Sequence, residues 1–343
     1  MGEGISARKP SQRTRYLTPP GRTPAQRHRP ARVRFPRHLS STPPARLGVV
    51  GRIAPVVLLV AVLATGCGGS KSSSGTIDAI LGRPGPDVAA TQGAGDFVRG
   101  LVRYPFLVIR NDARAVYRPT ARIWIATGRD AKPFERTIAR LEPIGVPGLS
   151  GPAAGNVTRI YVAHVRIARP GRYWLVAEPR GARIQAVGVF DVHARSSVPA
   201  VGAKAPDTDT PTLSDAHAAT LTTRRPPDVG LLRYSVADSL AVHRPFVVTF
   251  ATPEFCTSRT CGPVVDVVDA VRRRFAARGV RFIHVEVFTG NEPAKGYNRW
   301  MRRWGLRSEP WTFLVGRDGR VKAKFEGSVS EAELATAVRR QLL

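Results

Sequence analysis

The 343-residue chain has three cysteines, at positions 67, 256 and 261. Cys256 and Cys261 stand with four residues between them in Phe255-Cys-Thr-Ser-Arg-Thr-Cys-Gly-Pro263. A close pair of thiols can pass electrons by disulfide exchange, in which a thiolate attacks a disulfide sulfur. It can equally form a bridge that only staples a loop. Spacing alone does not choose between the two. Arg259, between the cysteines, places a positive charge beside them.

The surrounding elements bear on that choice. Phe246-Val-Val-Thr-Phe250 is apolar and β-branched and reads as a buried strand. Gly262-Pro263 opens a run in which Val264, Val268, Val271 and Phe275 recur on one helical face. Arginines 272, 273, 274 and 278 load its last turns, and Gly279 can end it. The pair therefore lies between a strand end and a helix start. Unpaired N–H groups and a partial positive charge at that place favour thiolate over thiol. Within one α-helix, residues five apart point about 140° away from each other. A bridge between these two cysteines thus requires at least one of them to lie outside regular helix, or a local rearrangement.

Downstream, residues 280–288 read as a second strand and 297–304 as a short helix closed by Gly305. Trp311 to Val315 reads as a third strand, entered from Pro310. Gly316-Arg-Asp-Gly319 has turn composition, and Arg320 to Phe325 alternates like an edge strand. Ser330-Glu-Ala-Glu333 is a capping box for a last helix.

With this order in place, residues 228–343 resemble a thioredoxin-fold domain. The cysteine pair after the first strand, the run Cys261-Gly262-Pro263, and Pro310 before a strand that ends in a Gly-x-Asp-Gly hairpin carry the resemblance. It implies an α/β domain in which Pro310 is cis and faces the active cysteine. It also implies catalytic roles for Cys256, Cys261 and Pro310. The family motif is Cys-Gly-Pro-Cys; here Val264 stands where the resolving thiol would be. The family's acidic group on the first strand has no match, and Thr249 is the polar residue there.

Cys256-Thr257 and Cys261 are also similar to the active-site loop of bacterioferritin-comigratory peroxiredoxins, which implies a thiol peroxidase with an antioxidant role. Pro253 occupies the place of that family's threonine. Sco-type copper chaperones pair a Cys-x3-Cys with a distant histidine. His284 is the one histidine after the pair, and its position in a strand reads as a satisfied sheet residue. No metal or other cofactor is expected.

The chain is strongly basic, with 53 Lys and Arg against 25 Asp and Glu. Residues 1–52 hold twelve basic residues and one acid, and read as a disordered leader. Residues 53–67 pair a thirteen-residue apolar run, too short to span a bilayer, with Leu63-Ala-Thr-Gly-Cys67. This resembles a bacterial lipoprotein signal and implies lipidation at Cys67. Residues 68–75 then form a Gly/Ser tether. The expected location is the outer face of the cell membrane, with membrane lipid as one partner through Cys67. The leader is long for a signal sequence, which suggests translation from near Val49 or Val50. With Cys67 lipidated, Cys256 and Cys261 are the remaining pair, in a compartment where a disulfide persists.

Residues 76–195 show short alternating strands with Pro/Gly turns, among them 105–110, 121–126, 159–167, 172–177 and 186–192. They read as an all-β, immunoglobulin-like sandwich. Residues 196–227 read as a linker and strap that packs on the next domain. The arginines line no single ribbon, and no stacking platform accompanies them, so nucleic acid is not an expected partner. The leading reading is an anchored thiol–disulfide oxidoreductase with an unidentified protein partner. The alternatives are a thiol peroxidase and a non-enzymatic envelope protein with a structural disulfide.

Overall fold

Alternation of apolar and polar residues gives a strand one face to bury, and seven strands of the N-terminal part bury theirs in a common interior. The structure is a computed structural model that describes residues 75–82, 88–152 and 157–343. The leader, the signal run and Cys67 lie outside the described residues. A one-turn helix, α1 (Ile77–Ile80), is capped by Thr76 and followed by β1 (Val88–Gln92) and β2 (Gly100–Arg110). Next come β3 (Thr120–Ala126), β4 (Glu135–Pro143), β5 (Arg159–Ile167), β6 (Gly171–Pro179) and β7 (Ala186–Val192).

These strands close into a barrel in the order β1-β2-β5-β4-β3-β6-β7. The expectation of an immunoglobulin-like sandwich is therefore corrected. A sandwich and a barrel both give each strand one buried face, so alternation does not separate them. The seam closes where Ala89 of β1 pairs in parallel with Val187 of β7, and a parallel bridge between Val98 and His193 extends it. Gly188 permits it: a Cβ there would sit 2.6 Å from the Ala90 carbonyl oxygen. Two strands carried no clear sequence signal. β1 is short and β4 is mostly half-exposed and charged. Aromatic rings fill the interior, with Tyr104 and Phe190 centroids 4.5 Å apart and Phe106 stacked on Tyr161 at 5.3 Å.

The C-terminal part contains α2 (Ala218–Leu221), α3 (Val236–Ala241), β8 (Phe246–Phe250), α4 (Cys261–Phe275) and β9 (Arg281–Val285). It continues with α5 (Arg299–Arg303), β10 (Trp311–Val315), β11 (Val321–Glu326) and α6 (Glu331–Gln341). The sheet order is β11-β10-β8-β9; β8 and β9 run parallel, and β10 is antiparallel to both β8 and β11. This is the thioredoxin-like arrangement. Val264, Val268, Val271 and Phe275 of α4 pack with Leu334 and Val338 of α6 against Val247, Phe282 and Leu314 of the sheet. Burying each such side chain is worth about 1.5–3 kcal/mol. The opposite face holds Trp304 and Met301 over Phe250 and Phe313. Ser330 caps α6 through the Glu333 N–H at 3.2 Å.

Residues 202–205 follow a turn and attach to the β10–β11 hairpin through an antiparallel bridge between Lys204 and Arg320. The Gly202 N–H donates to Val321 O, and the Ala205 N–H to Gly319 O. Nearby, Trp304 Nε1–H donates to the Thr208 hydroxyl at 3.0 Å.

The described residues belong to one compact unit, so the barrel and the thioredoxin-like part share a joint. Arg103 of β2 grips Glu333 of α6 with two bonds of 2.6 and 2.8 Å, donates to Ser328 O at 2.8 Å, and lies over the Phe325 ring. Lys324 pairs with Asp96 at 2.8 Å, and both side chains are buried or nearly so. Glu326 accepts the Gly95 and Asp96 N–H groups at 2.7 and 2.6 Å. Gly145 forms a parallel bridge to Ser330, and Ser150 donates to Asp266 of α4 at 2.8 Å. At Gly327, φ is +72° and a Cβ would run into the Gly93 carbonyl oxygen, so the joint needs glycine there.

Candidate active site

β8 ends at Phe250, and residues 251–260 loop over to the first residue of α4, Cys261. Cys256 is in that loop and outside regular helix, as a bridge between the two requires. Cys256 and Cys261 form a disulfide with a Cα–Cα distance of 5.9 Å. The Arg259 N–H donates to Cys256 O at 3.0 Å, and Arg259 itself takes the left-handed conformation, φ +54°. The turn folds the Cys256 sulfur back onto the helix start, where it accepts the Cys261 N–H at 3.3 Å. The Ser258 hydroxyl also lies 3.3 Å from that sulfur and 2.7 Å from the Thr260 hydroxyl. Cys256 keeps 8% of its surface exposed, while Cys261 has none. The outer sulfur is thus the one that faces the donors of a helix N-terminus. Val264, in the place of the family's second thiol, is fully buried in the core.

The Glu309–Pro310 peptide is cis, and Pro310 is buried. Pro310 O accepts the Gly327 N–H at 2.9 Å. Glu309 and Ser258 line one cavity, which brings the residue before Pro310 to the cysteine loop. The Glu309 carboxylate accepts the Tyr297 hydroxyl at 2.6 Å. Burial, and then this carboxylate, hold the Tyr297 phenol well above its ordinary pKa.

Beneath the loop, Thr312, Thr249 and His284 stand side by side on β10, β8 and β9. The hydroxyls of Thr249 and Thr312 are 3.0 Å apart. His284 is buried; its Nε2 lies 3.0 Å from Ala251 O, and its Nδ1 lies 3.4 Å from the Thr222 hydroxyl. That is the satisfied sheet residue expected from its position. Glu286, two residues on and also buried, accepts the Thr223 N–H at 2.6 Å and the Thr223 hydroxyl at 2.8 Å. The same Thr223 hydroxyl accepts the Glu254 N–H, two residues before Cys256. Glu286 thereby ties the strap to the cysteine loop, and Arg224 adds an ion pair to Asp266 of α4 at 2.8 Å. Sequence reasoning missed this clamp. The one available signal is the period-two spacing of His284 and Glu286, which puts both on one face of an extended strand. Nothing local marked Thr222 or Thr223 as their partners.

Burial holds the His284 imidazole below its ordinary pKa, against the pull of the nearby Glu286 carboxylate. The folded chain therefore favours the neutral ring. Stability from this group is complete above the unfolded value near 6.5. It falls with pH below that point, because the unfolded chain takes up a proton that the folded chain refuses. The expected slope is up to about 1.4 kcal/mol per pH unit until the depressed native value is reached. Urea unfolding of wild type and His284→Gln between pH 7.5 and 5 measures it. The wild-type midpoint should fall more steeply, and parallel curves would discard the assignment.

Two solved structures, both from Chlorobium tepidum, are similar in fold. One is a thiol:disulfide interchange protein of the thioredoxin family, 19% identical, with 42% of this chain and 99% of its own covered at a TM-score of 0.27. The other, described as a thiol:disulfide interchange protein DsbE, is 16% identical over 42% and 99%, with a TM-score of 0.31. No protein-family model matches the chain, and no curated protein matches it either.

Proposed function

We propose that this chain is a thiol–disulfide oxidoreductase, held at the outer face of the cell membrane by lipid on Cys67, with Cys256 and Cys261 as its redox pair. The observation that carries the redox reading is the Cys256 sulfur, the more exposed of the two, which accepts the first N–H of α4. That N–H and the helix dipole stabilise negative charge on the sulfur and so favour the attacking thiolate. In the reduced pair, the Cys256 thiolate attacks one sulfur of a client disulfide. The client S–S bond breaks, a mixed disulfide forms on Cys256, and the other client sulfur leaves as thiolate and takes a proton. Cys261 then loses its proton and attacks the Cys256 sulfur. The bridge between the two cysteines forms, and the second client sulfur leaves as a thiol. Two electrons pass to the client, and the reverse sequence oxidises a client dithiol.

Thiol trapping of the full chain across a glutathione series tests this. An exchange pair should equilibrate above about −300 mV, where labile bridges lie, and a pair that stays oxidised throughout would instead be a structural staple. Labelled fatty acid should enter the wild type and not Cys67→Ala in the producing cell.

A further inference from the structure

The redox pair does not stand at an open face. A cavity of about 300 Å³ opens beside it. Ser258 and Glu309 form its wall on the thioredoxin-like side, and Leu107, Ile144 and Ile160 of the barrel form the facing wall. Ile144 and Ile160 belong to a small apolar cluster separate from the barrel's main interior, with Leu107 half-buried against it. The ion pairs of the joint, Arg103–Glu333 and Lys324–Asp96, hold the two walls together.

Building on the oxidoreductase reading, we infer that the barrel supplies a specificity pocket, which takes an aliphatic or aromatic side chain next to the reacting cysteine of an extended polypeptide client. Three features of the site point to that occupant. The first is distance: the Ser258 hydroxyl on the cavity wall is 3.3 Å from the Cys256 sulfur, so a residue seated here has its neighbour at the redox pair. The second is chemistry. The barrel wall is aliphatic, and filling it removes apolar surface from water. The third is charge. Glu309 and Glu326 are among the residues that line the cavity, and among the described residues no Lys, Arg or His does. Acidic side chains and anionic low-molecular-weight thiols are repelled there, whereas an apolar residue is not. The volume lies at the lower end for ligand pockets and suits a side chain instead of a folded surface.

The test uses the full chain, kept reduced by dithiothreitol, and three short peptide disulfides that differ only in the residue beside one cysteine: Leu, Ser or Glu. Hydroxyethyl disulfide serves as a substrate with nothing to fill the pocket. The leucine peptide should be reduced with a kcat/KM about tenfold above the serine peptide, with the glutamate peptide lowest. Leu107→Glu should bring the Leu/Ser ratio to about one, while Leu101→Glu, at an exposed position on the same strand, should leave the ratio as it was. Ile144→Phe, which fills the pocket from the same wall, should lower the ratio as well. Equal rates for the three peptides, or preference for the glutamate peptide, alongside turnover of hydroxyethyl disulfide would overturn the pocket and leave the oxidoreductase standing. Failure to reduce even hydroxyethyl disulfide would bring down the oxidoreductase reading and the pocket together.

Discussion

Cys256→Ser should lose client reduction by more than about 10³-fold, because the attacking sulfur is gone and only the uncatalysed exchange remains. Cys261→Ser should behave differently. Cys256 can still attack, but nothing releases the mixed disulfide, so client and chain accumulate as a covalent adduct. The asymmetry follows from exposure and hydrogen bonding: Cys256 retains some surface and accepts the helix N–H, while Cys261 is fully buried in the first turn of α4. Non-reducing electrophoresis of both variants with a peptide disulfide separates the roles. Adduct on Cys256→Ser, and none on Cys261→Ser, would exchange the assignments of attacker and resolver.

Arg103→Ala should cost about 3 kcal/mol, with an expected fall in the unfolding midpoint of roughly 6–12 °C. The side chains of Arg103 and Glu333 are only 14% and 17% exposed, so water screens their pairing weakly. Removing the guanidinium strands a half-buried carboxylate and also takes a donor from Ser328 O. Most of the cost is that of an uncompensated charge, not the net worth of the pair. Arg103→Met combined with Glu333→Leu should therefore recover at least half of the loss. Thermal unfolding of the two single variants and the double variant decides it. A double variant as unstable as the sum of the singles would mean that packing, not charge, is what Arg103 supplies.

Glu333 shows where sequence reading stops. Ser330-Glu-Ala-Glu333 marked the start of α6, and Ser330 does cap it. The same pattern assigns the Glu333 side chain to the Ser330 N–H, yet its carboxylate is taken by an arginine 230 residues earlier in the chain. Local patterns describe what a segment can do with its own backbone. A competing partner from another part of the fold has no local signature.

The cysteine pair was legible for the opposite reason. A strand run, two thiols and a helical period are consecutive in the chain, so their order alone set Cys256 in a loop and Cys261 at a helix start. The position of Pro310 ahead of a strand was legible in the same way, as was the buried face of α4, since period and turn residues are local properties. Barrel closure was not, because it turns on parallel pairings of Ala89 with Val187 and Val98 with His193, and on the bare Cα of Gly188. Nor was the clamp of Glu286 on Thr223, which joins a strand to a strap with no period of its own. The sequence by itself determined that two thiols meet at a helix N-terminus within an α/β domain. Only the tertiary structure decided that a closed barrel stands over them, because that depends on contacts between residues far apart in the chain whose side chains meet only after both parts have folded.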